Sequence, residues 1–280
     1  EGIRIGNDVG AHWQGIAIAA DCTLSWLWLN TIAFYTDPDV VCVREPLPYE
    51  QARVWAVLLG ITGQLLMTSD KMYELSEERD ELLRRIFPVA DIHPMELYPT
   101  DKDHKPCIFD LKVAIPRVGK WDVVALFNWS KTDPRKFELN EARLGLEPGA
   151  YIWQDIQRSG PLRLDKEGKM TVEVPPASCR VVSVWPKLGH PQFIGSNRHL
   201  TQGAVDVTAV DWNEKALKLS GTSEVVGNDA YKLHVHVPDG YRLKKADGIE
   251  LYGDMAVLTI RTDKNQRVNW EMAFERRKKR

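Results

Sequence analysis

The chain has 280 residues, 44% of them hydrophobic and 27% charged, with a formal net charge of −2. That balance excludes an intrinsically disordered chain and leaves apolar material for two or three cores. The small net charge offers no field to draw nucleic acid or anionic lipid, and the one basic block, ERRKKR at 275–280, reads as a solvated end. No apolar run approaches the ~20 residues of a membrane span, and TLSWLWLNTIAF is too short.

The chain opens without methionine on EGIRIGND. An apolar run closing on Gly-Asn-Asp reads as a short strand turning out of a sheet, and so brief a lead-in reads as the interior of a longer sequence. Compartment and oligomeric state have no signal. A helix is expected around residues 12–29 and a strand near 39–43. YEQARVWAVLLGITGQLLM then places Val54, Val57, Leu58 and Ile61 at helical spacing and meets Gly60 and Gly63 before a short run, LLMTSD. SEERDELLRRIF reads as a helix with Ser76 at the cap and Glu77, Glu78 and Asp80 in its first turn. Arg84 and Arg85 stand near its end, as the helix dipole favours, and Pro88 stops it. These are about three β/α units, whereas a complete (β/α)8 TIM barrel needs eight and roughly 250 residues.

Beyond the linker LYPTDKDHKP the rhythm is all-β. KWDVVALFNWS, KMTVEVPPASCRVVSVW, KALKLSG, YKLHVHVP and DMAVLTIRT alternate in period two between Gly, Pro, Asp and Asn turns. Pro and Gly gather near PKLGHPQF. The expected class is therefore α/β plus all-β: the C-terminal third of a (β/α)8 barrel over 1–98, then one or two antiparallel β-sandwich domains over 105–187 and 188–275. Cys22, Cys42, Cys107 and Cys179 show neither a CxxC pair nor metal spacing and read as buried free thiols.

Asp8 is the first candidate for chemistry, because a carboxylate at the C-terminal mouth of a barrel strand points into the site; the alternative is a helix N-cap. Asp37 and Asp39 flank Pro38 in a stiffened loop, or form a turn with two solvated acids. Ser69 and Asp70 follow a strand, and for Asp70 a cap on the next helix is the preferred reading.

Taken in order, RIGND, DPDVVCVR, EQARVWAVLLGITGQLLMTSD, a charged helix and a β-sandwich resemble the C-terminal half of clan D glycoside hydrolases, the α-galactosidase (melibiase-like) enzymes of families 27 and 36. The motif resemblance covers residues 1 to about 90. In that family an Arg stands four residues before the general acid/base Asp, as Arg4 does before Asp8. The family's Trp-Asn-Asp-Pro-Asp loop corresponds to Tyr35-Thr36-Asp37-Pro38-Asp39, with Tyr and Thr in place of Trp and Asn. The apolar-Met-Ser-x-Asp strand end corresponds to Leu66-Met67-Thr68-Ser69-Asp70 with one exchange.

The resemblance implies a retaining α-glycosidase acting on terminal α-galactosides, with an oligosaccharide or glycoside as partner and no metal or organic cofactor. Two carboxyl groups about 5–5.5 Å apart would carry the double displacement, Asp8 as the acid/base. The family's nucleophile lies upstream of Glu1, so this chain alone is expected to be inactive. Acid duty requires Asp8 to hold a proton near neutral pH, which the nucleophile's charge favours; Arg4 is therefore expected to hold a sugar hydroxyl rather than neutralise Asp8. Asp37, Asp39 and Trp13 complete the expected substrate-binding set.

Trp26, Trp28 and Trp55 read as packing residues and His12 as an exposed helix-start residue. SNRHLTQGAVDV reads as a packing loop, and His234 and His236 as a strand pair lacking a third ligand. The alternative function is a non-catalytic carbohydrate-binding or structural β-sandwich module with a degenerate barrel remnant. In a binding module, Trp121 or Trp153 would form an exposed platform; in a structural one they would be buried.

Overall fold

A computed structural model of the protein describes residues 1–97, 105–156, 160–162, 164–165 and 168–277. Most of the expected linker and the last three residues of the basic end lie outside them. The chain forms two compact units: one comprises Glu1–Lys112, Asp122–Pro148 and Trp153–Val182, the other Val113–Trp121, Gly149–Ile152 and Ser183–Arg280.

The first unit begins with β1 (Gly2–Arg4), α1 (Trp13–Trp26), β2 (Tyr35–Asp37), α2 (Tyr49–Thr62) and α3 (Glu77–Arg84). β1 pairs with β2 in parallel, Arg4 opposite Asp37, and Val40 forms a further parallel bridge with Met67. The expected strand at 39–43 therefore comes earlier. Pro38 has no N–H for a ladder and Asp39 takes φ +76°, so regular pairing ends at Asp37.

α1 buries Ile16, Ala19, Ala20 and Thr23, spaced for one helical face. α2 is buried from Val54 to Thr62, and the Trp55 indole donates to Val40 O at 2.9 Å. It stops at Gly63, whose left-handed φ of +63° and 2.6 Å approach to Ile92 O leave no room for a Cβ. Ser76 sits at the N-cap of α3 but makes no side-chain capping bond.

The strands that follow are β3 (Met95–Glu96), β4 (Ile108–Ile115), β5 (Gly119–Asn128), β6 (Arg135–Leu139), β7 (Tyr151–Asp155), β8 (Gly160–Leu162), β9 (Met170–Val174) and β10 (Ser178–Pro186). Six form one sheet in the order β3-β4-β5-β10-β7-β8, and β6 pairs with β9 antiparallel. In that pair Phe137, Leu139, Met170, Val172 and Val174 turn inward while their neighbours face out, the period-two pattern of a half-buried ribbon.

A charged cluster lies within this unit. Lys112 Nζ is 2.9 Å from buried Asp110 and also contacts Asp122 and Leu144 O. Burial pushes Asp110 up to about 6, Lys112 opposing the rise and Asp122 adding to it.

The second unit adds β11 (Gln192–Ser196), β12 (Val207–Asn213), β13 (Lys218–Val225), β14 (Tyr231–His236), β15 (Tyr241–Leu243), β16 (Ile249–Tyr252), β17 (Met255–Ile260) and β18 (Gln266–Arg276). They make two four-stranded antiparallel sheets, β11-β14-β17-β16 and β12-β13-β18-β15. Phe193 of β11 meets Trp270 of β18 across the core, ring centres 6.4 Å apart. Beside them the Tyr231 hydroxyl donates to Asp206 at 2.6 Å and lies 3.0 Å from Ser223 Oγ, while Ser196 donates to Asp206 at 2.7 Å. The Asp206 carboxyl, which burial pushes up, thus ties β11 to β14, and the Tyr231 hydroxyl carries the network on to Ser223 of β13 in the other sheet.

Two measurements check this. Tyr231→Phe leaves Asp206 one donor short and should lower stability in urea unfolding by about 1–3 kcal/mol; a change within error would remove the network from the stabilising set. A carboxyl whose folded pKa exceeds its unfolded value of ~3.9 stabilises fully below the unfolded value and loses that contribution as pH rises through the folded one. For Asp110 the loss runs from about pH 4 through about 6. Asp110→Asn should therefore lose less stability than the parent between about pH 4 and about pH 7, and parallel profiles would refute the assignment.

Candidate active site

β1 ends at Arg4 and the chain leaves the sheet through Gly6, where an added Cβ would come 3.1 Å from Cys22. Arg4 Nη2 lies 2.9 Å from Asp8 Oδ1 and 2.8 Å from Asp39 Oδ1, so one guanidinium nitrogen stands between the two carboxylates. The expectation that Arg4 would stand off Asp8 is not met; Asp39 holds the guanidinium where Asp8 also reaches it. The Asp8 side chain is wholly exposed, whereas that of Asp39 is 12% exposed. The second Asp39 oxygen accepts from Val9 N at 2.7 Å, which pins the loop carrying Asp8.

Asp37 has a different part. Its Oδ1 accepts from Asp39 N at 2.9 Å, closing a turn around Pro38, and its backbone carbonyl accepts from Ile5 N. The turn sets Asp39 at its positive φ, a conformation Asp tolerates better than most residues.

Asp8 is not the cap of α1. His12 is: its backbone is extended and its Nδ1 accepts from Gly15 N at 3.1 Å. This leaves the Asp8 carboxylate free of helix duty, beside a hollow of about 240 Å³ lined by Asn7, Asp8, Gly10 and His12. Trp13 does not line this hollow. It is buried and packs against Trp129 at 6.2 Å between ring centres.

One supporting residue, Asn30, carries no sequence signature. Asn30 Oδ1 accepts from both Thr36 N and Thr36 Oγ1, and its amide donates to Gly63 O, so one side chain ties β2 to the end of α2. Thr36 is thereby buried, while Tyr35 before it is exposed.

Asp70 is not a helix cap either. The turn at Met72–Glu74 is capped by Lys71 without a side-chain bond. Asp70 Oδ2 instead accepts from Val43 N at 2.7 Å and Arg44 N at 3.0 Å, with Arg44 Nη1 on its other oxygen at 2.5 Å. Buried Arg79 donates to Val43 O and Leu47 O. Together they fix the loop that follows Asp39.

The remaining candidates fall outside this cluster. His234 and His236 are buried on β14, burial lowering the first to about 4 and lowering the second also. Among the described residues no group of His, Cys, Asp and Glu is arranged to hold a metal ion. His199 pairs with Thr201 inside the second unit, Trp121 and Trp153 are each 2% exposed, and all four cysteines are free thiols.

The sequence matches no family model and no curated protein. The structure is similar to a family 27 β-L-arabinopyranosidase from Geobacillus stearothermophilus, with a TM-score of 0.53 and 18% identity over 67% of this chain and 45% of that one. A variant of that enzyme in complex with arabinose gives 0.52 and 16% identity over 67% and 46%. A putative α-N-acetylgalactosaminidase from Bacillus halodurans gives 0.51 and 13% identity over 65% and 44%. The chain spans less than half the length of each of these proteins. At such identities the likeness is one of fold: over about two thirds of its length the chain has a clan D glycoside hydrolase-like fold.

Proposed function

We propose that the chain is the C-terminal portion of a retaining α-glycosidase, its first 98 residues being the last strands and helices of a (β/α)8 barrel. The parallel β1–β2 pair, the parallel Val40–Met67 bridge and the alternation with α1 and α2 support that reading. The observation that carries the function is the Arg4 guanidinium between Asp8 and Asp39 at the ends of those strands.

In this reading the two acids divide the work. Asp39, nearly out of solvent and already accepting from Val9 N, holds Arg4; Asp8, wholly exposed, exchanges protons with the glycosidic oxygen and then with water. The attacking carboxylate comes from a segment outside these 280 residues. Its negative charge opposite Asp8 favours the protonated acid before attack, and its glycosylation removes that charge, so Asp8 becomes a base for the second step. Arg4 exchanges its contact with Asp8 for a sugar hydroxyl, while Asp37, through its turn, keeps Asp39 in register. The substrate is a terminal α-galactoside or a β-L-arabinopyranoside, which has the same ring-hydroxyl pattern without the sixth carbon.

The test uses the protein carrying its complete barrel. Asp8→Asn should lower turnover of substrates with poor leaving groups by about 10²–10⁴-fold, far less with an activated aryl leaving group, and small external acids should restore activity; an unaffected variant would sink the assignment. The 280-residue chain alone should show no turnover on aryl α-galactoside. In that chain Asp39→Ala should cost about 2 kcal/mol or more in unfolding experiments, because Val9 N loses its partner and Arg4 the buried one of its two. A cost near zero would separate Asp39 from the frame of the site.

A further inference from the structure

The second unit contains a groove of about 290 Å³ that shares no residue with the Asp8 cluster. One wall is the ring of His190 stacked on Trp212, planes 4° apart and centres separated by 5.2 Å. Leu188, an apolar side chain 58% exposed, and buried Trp185 continue the lining, and Lys120 and Asp211 stand exposed on it. Neither Lys120 nor Asp211 has a side-chain partner among the described residues.

Three features define what would fit. The surface is aromatic and apolar but not charged overall, since one ammonium and one carboxylate offset each other. Its polar groups include both donors and acceptors. His190 Nδ1 lies 2.8 Å from Pro191 O, which can only accept, so Nδ1 carries the proton and Nε2 of the neutral ring keeps a lone pair. Trp185, 3% exposed and stacked on Trp121 at 4.3 Å, carries an indole N–H with no hydrogen-bond partner among the described residues.

An uncharged ligand with an apolar face and a rim of hydroxyls that both donate and accept answers all three, and the size suits a sugar ring rather than a folded peptide. We infer that this groove is an accessory carbohydrate site that holds a pyranose ring against the His190–Trp212 wall, with hydroxyl oxygens at Lys120 and hydroxyl protons at Asp211 and His190, close enough to Trp185 for its indole to report occupancy. It stands independently of any role for Asp8.

The experiment is a titration of the 15N-labelled 280-residue chain with methyl α-galactoside, L-arabinose, raffinose and glucose, following the Trp185 indole resonance assigned with Trp185→Phe. At least one sugar should shift that resonance saturably. Asp211→Ala and Lys120→Ala, exposed positions that leave the core intact, should each weaken binding by ~10-fold, and Asp8→Asn should leave it unchanged. No saturable shift with any of the four sugars would overturn the inference. So would a shift abolished by Asp8→Asn and retained in both groove variants.

Discussion

A carboxylate removed from solvent must be answered by donors, and at Asp39 that requirement organises the whole end of the small parallel sheet. One oxygen takes the Val9 amide and the other the Arg4 guanidinium, from a residue whose own backbone is held at positive φ by the turn around Pro38. The loop after β1 and the loop after β2 are thereby locked to each other. Asp8, which makes no bond into the core, is positioned because its neighbours are. Asp70 repeats the device one loop further on: two backbone amides and an arginine converge on a buried carboxylate, and Arg79 secures the facing carbonyls. Buried acids thus frame this end of the sheet, and Asp8 stands wholly exposed beside them.

Much of this was legible in the sequence, because helical spacing and period-two alternation report burial directly. α2 and the strands β5, β9, β10, β13, β14 and β17 lie where their patterns put them, whereas β6, β11, β12 and β18 are not singled out by pattern, β11 opening inside the Pro- and Gly-rich stretch PKLGHPQF. The spacing of Arg4 and Asp8 and the Asp-Pro-Asp loop also identified residues that meet in space. The misplacements have physical causes. Asp39–Val43 looks like a strand, but its amides at Val41 and Val43 go to Met67 O and Asp70 rather than into one ladder. His12 caps α1 although histidine is a rare cap, and this overturned the helix-cap alternative for Asp8.

Other features had no pattern to be found by. Asn30 is a lone amide after a turn, and its function exists only because Thr36 and Gly63 come to it. The Asp110–Lys112–Asp122 cluster sits on strands buried on both faces, where alternation cannot distinguish an inward acid from an apolar neighbour. The aromatic residues show the same limit. Sequence alone weighed Trp121 and Trp153 as a sugar platform, yet both are core; the stacked His190–Trp212 pair, from two distant segments, forms the groove wall instead.

The central claim is that the Arg4 guanidinium and the Asp8 carboxylate face a sugar. A crystal structure of the protein with its complete barrel, soaked with galactose, tests it most directly. The bridge predicts a sugar ring with its anomeric oxygen within hydrogen-bond reach of Asp8 and a hydroxyl on Arg4, while Asp39 keeps Val9 N. A sugar bound elsewhere in the barrel, with Arg4 still closed on Asp8, would contradict it.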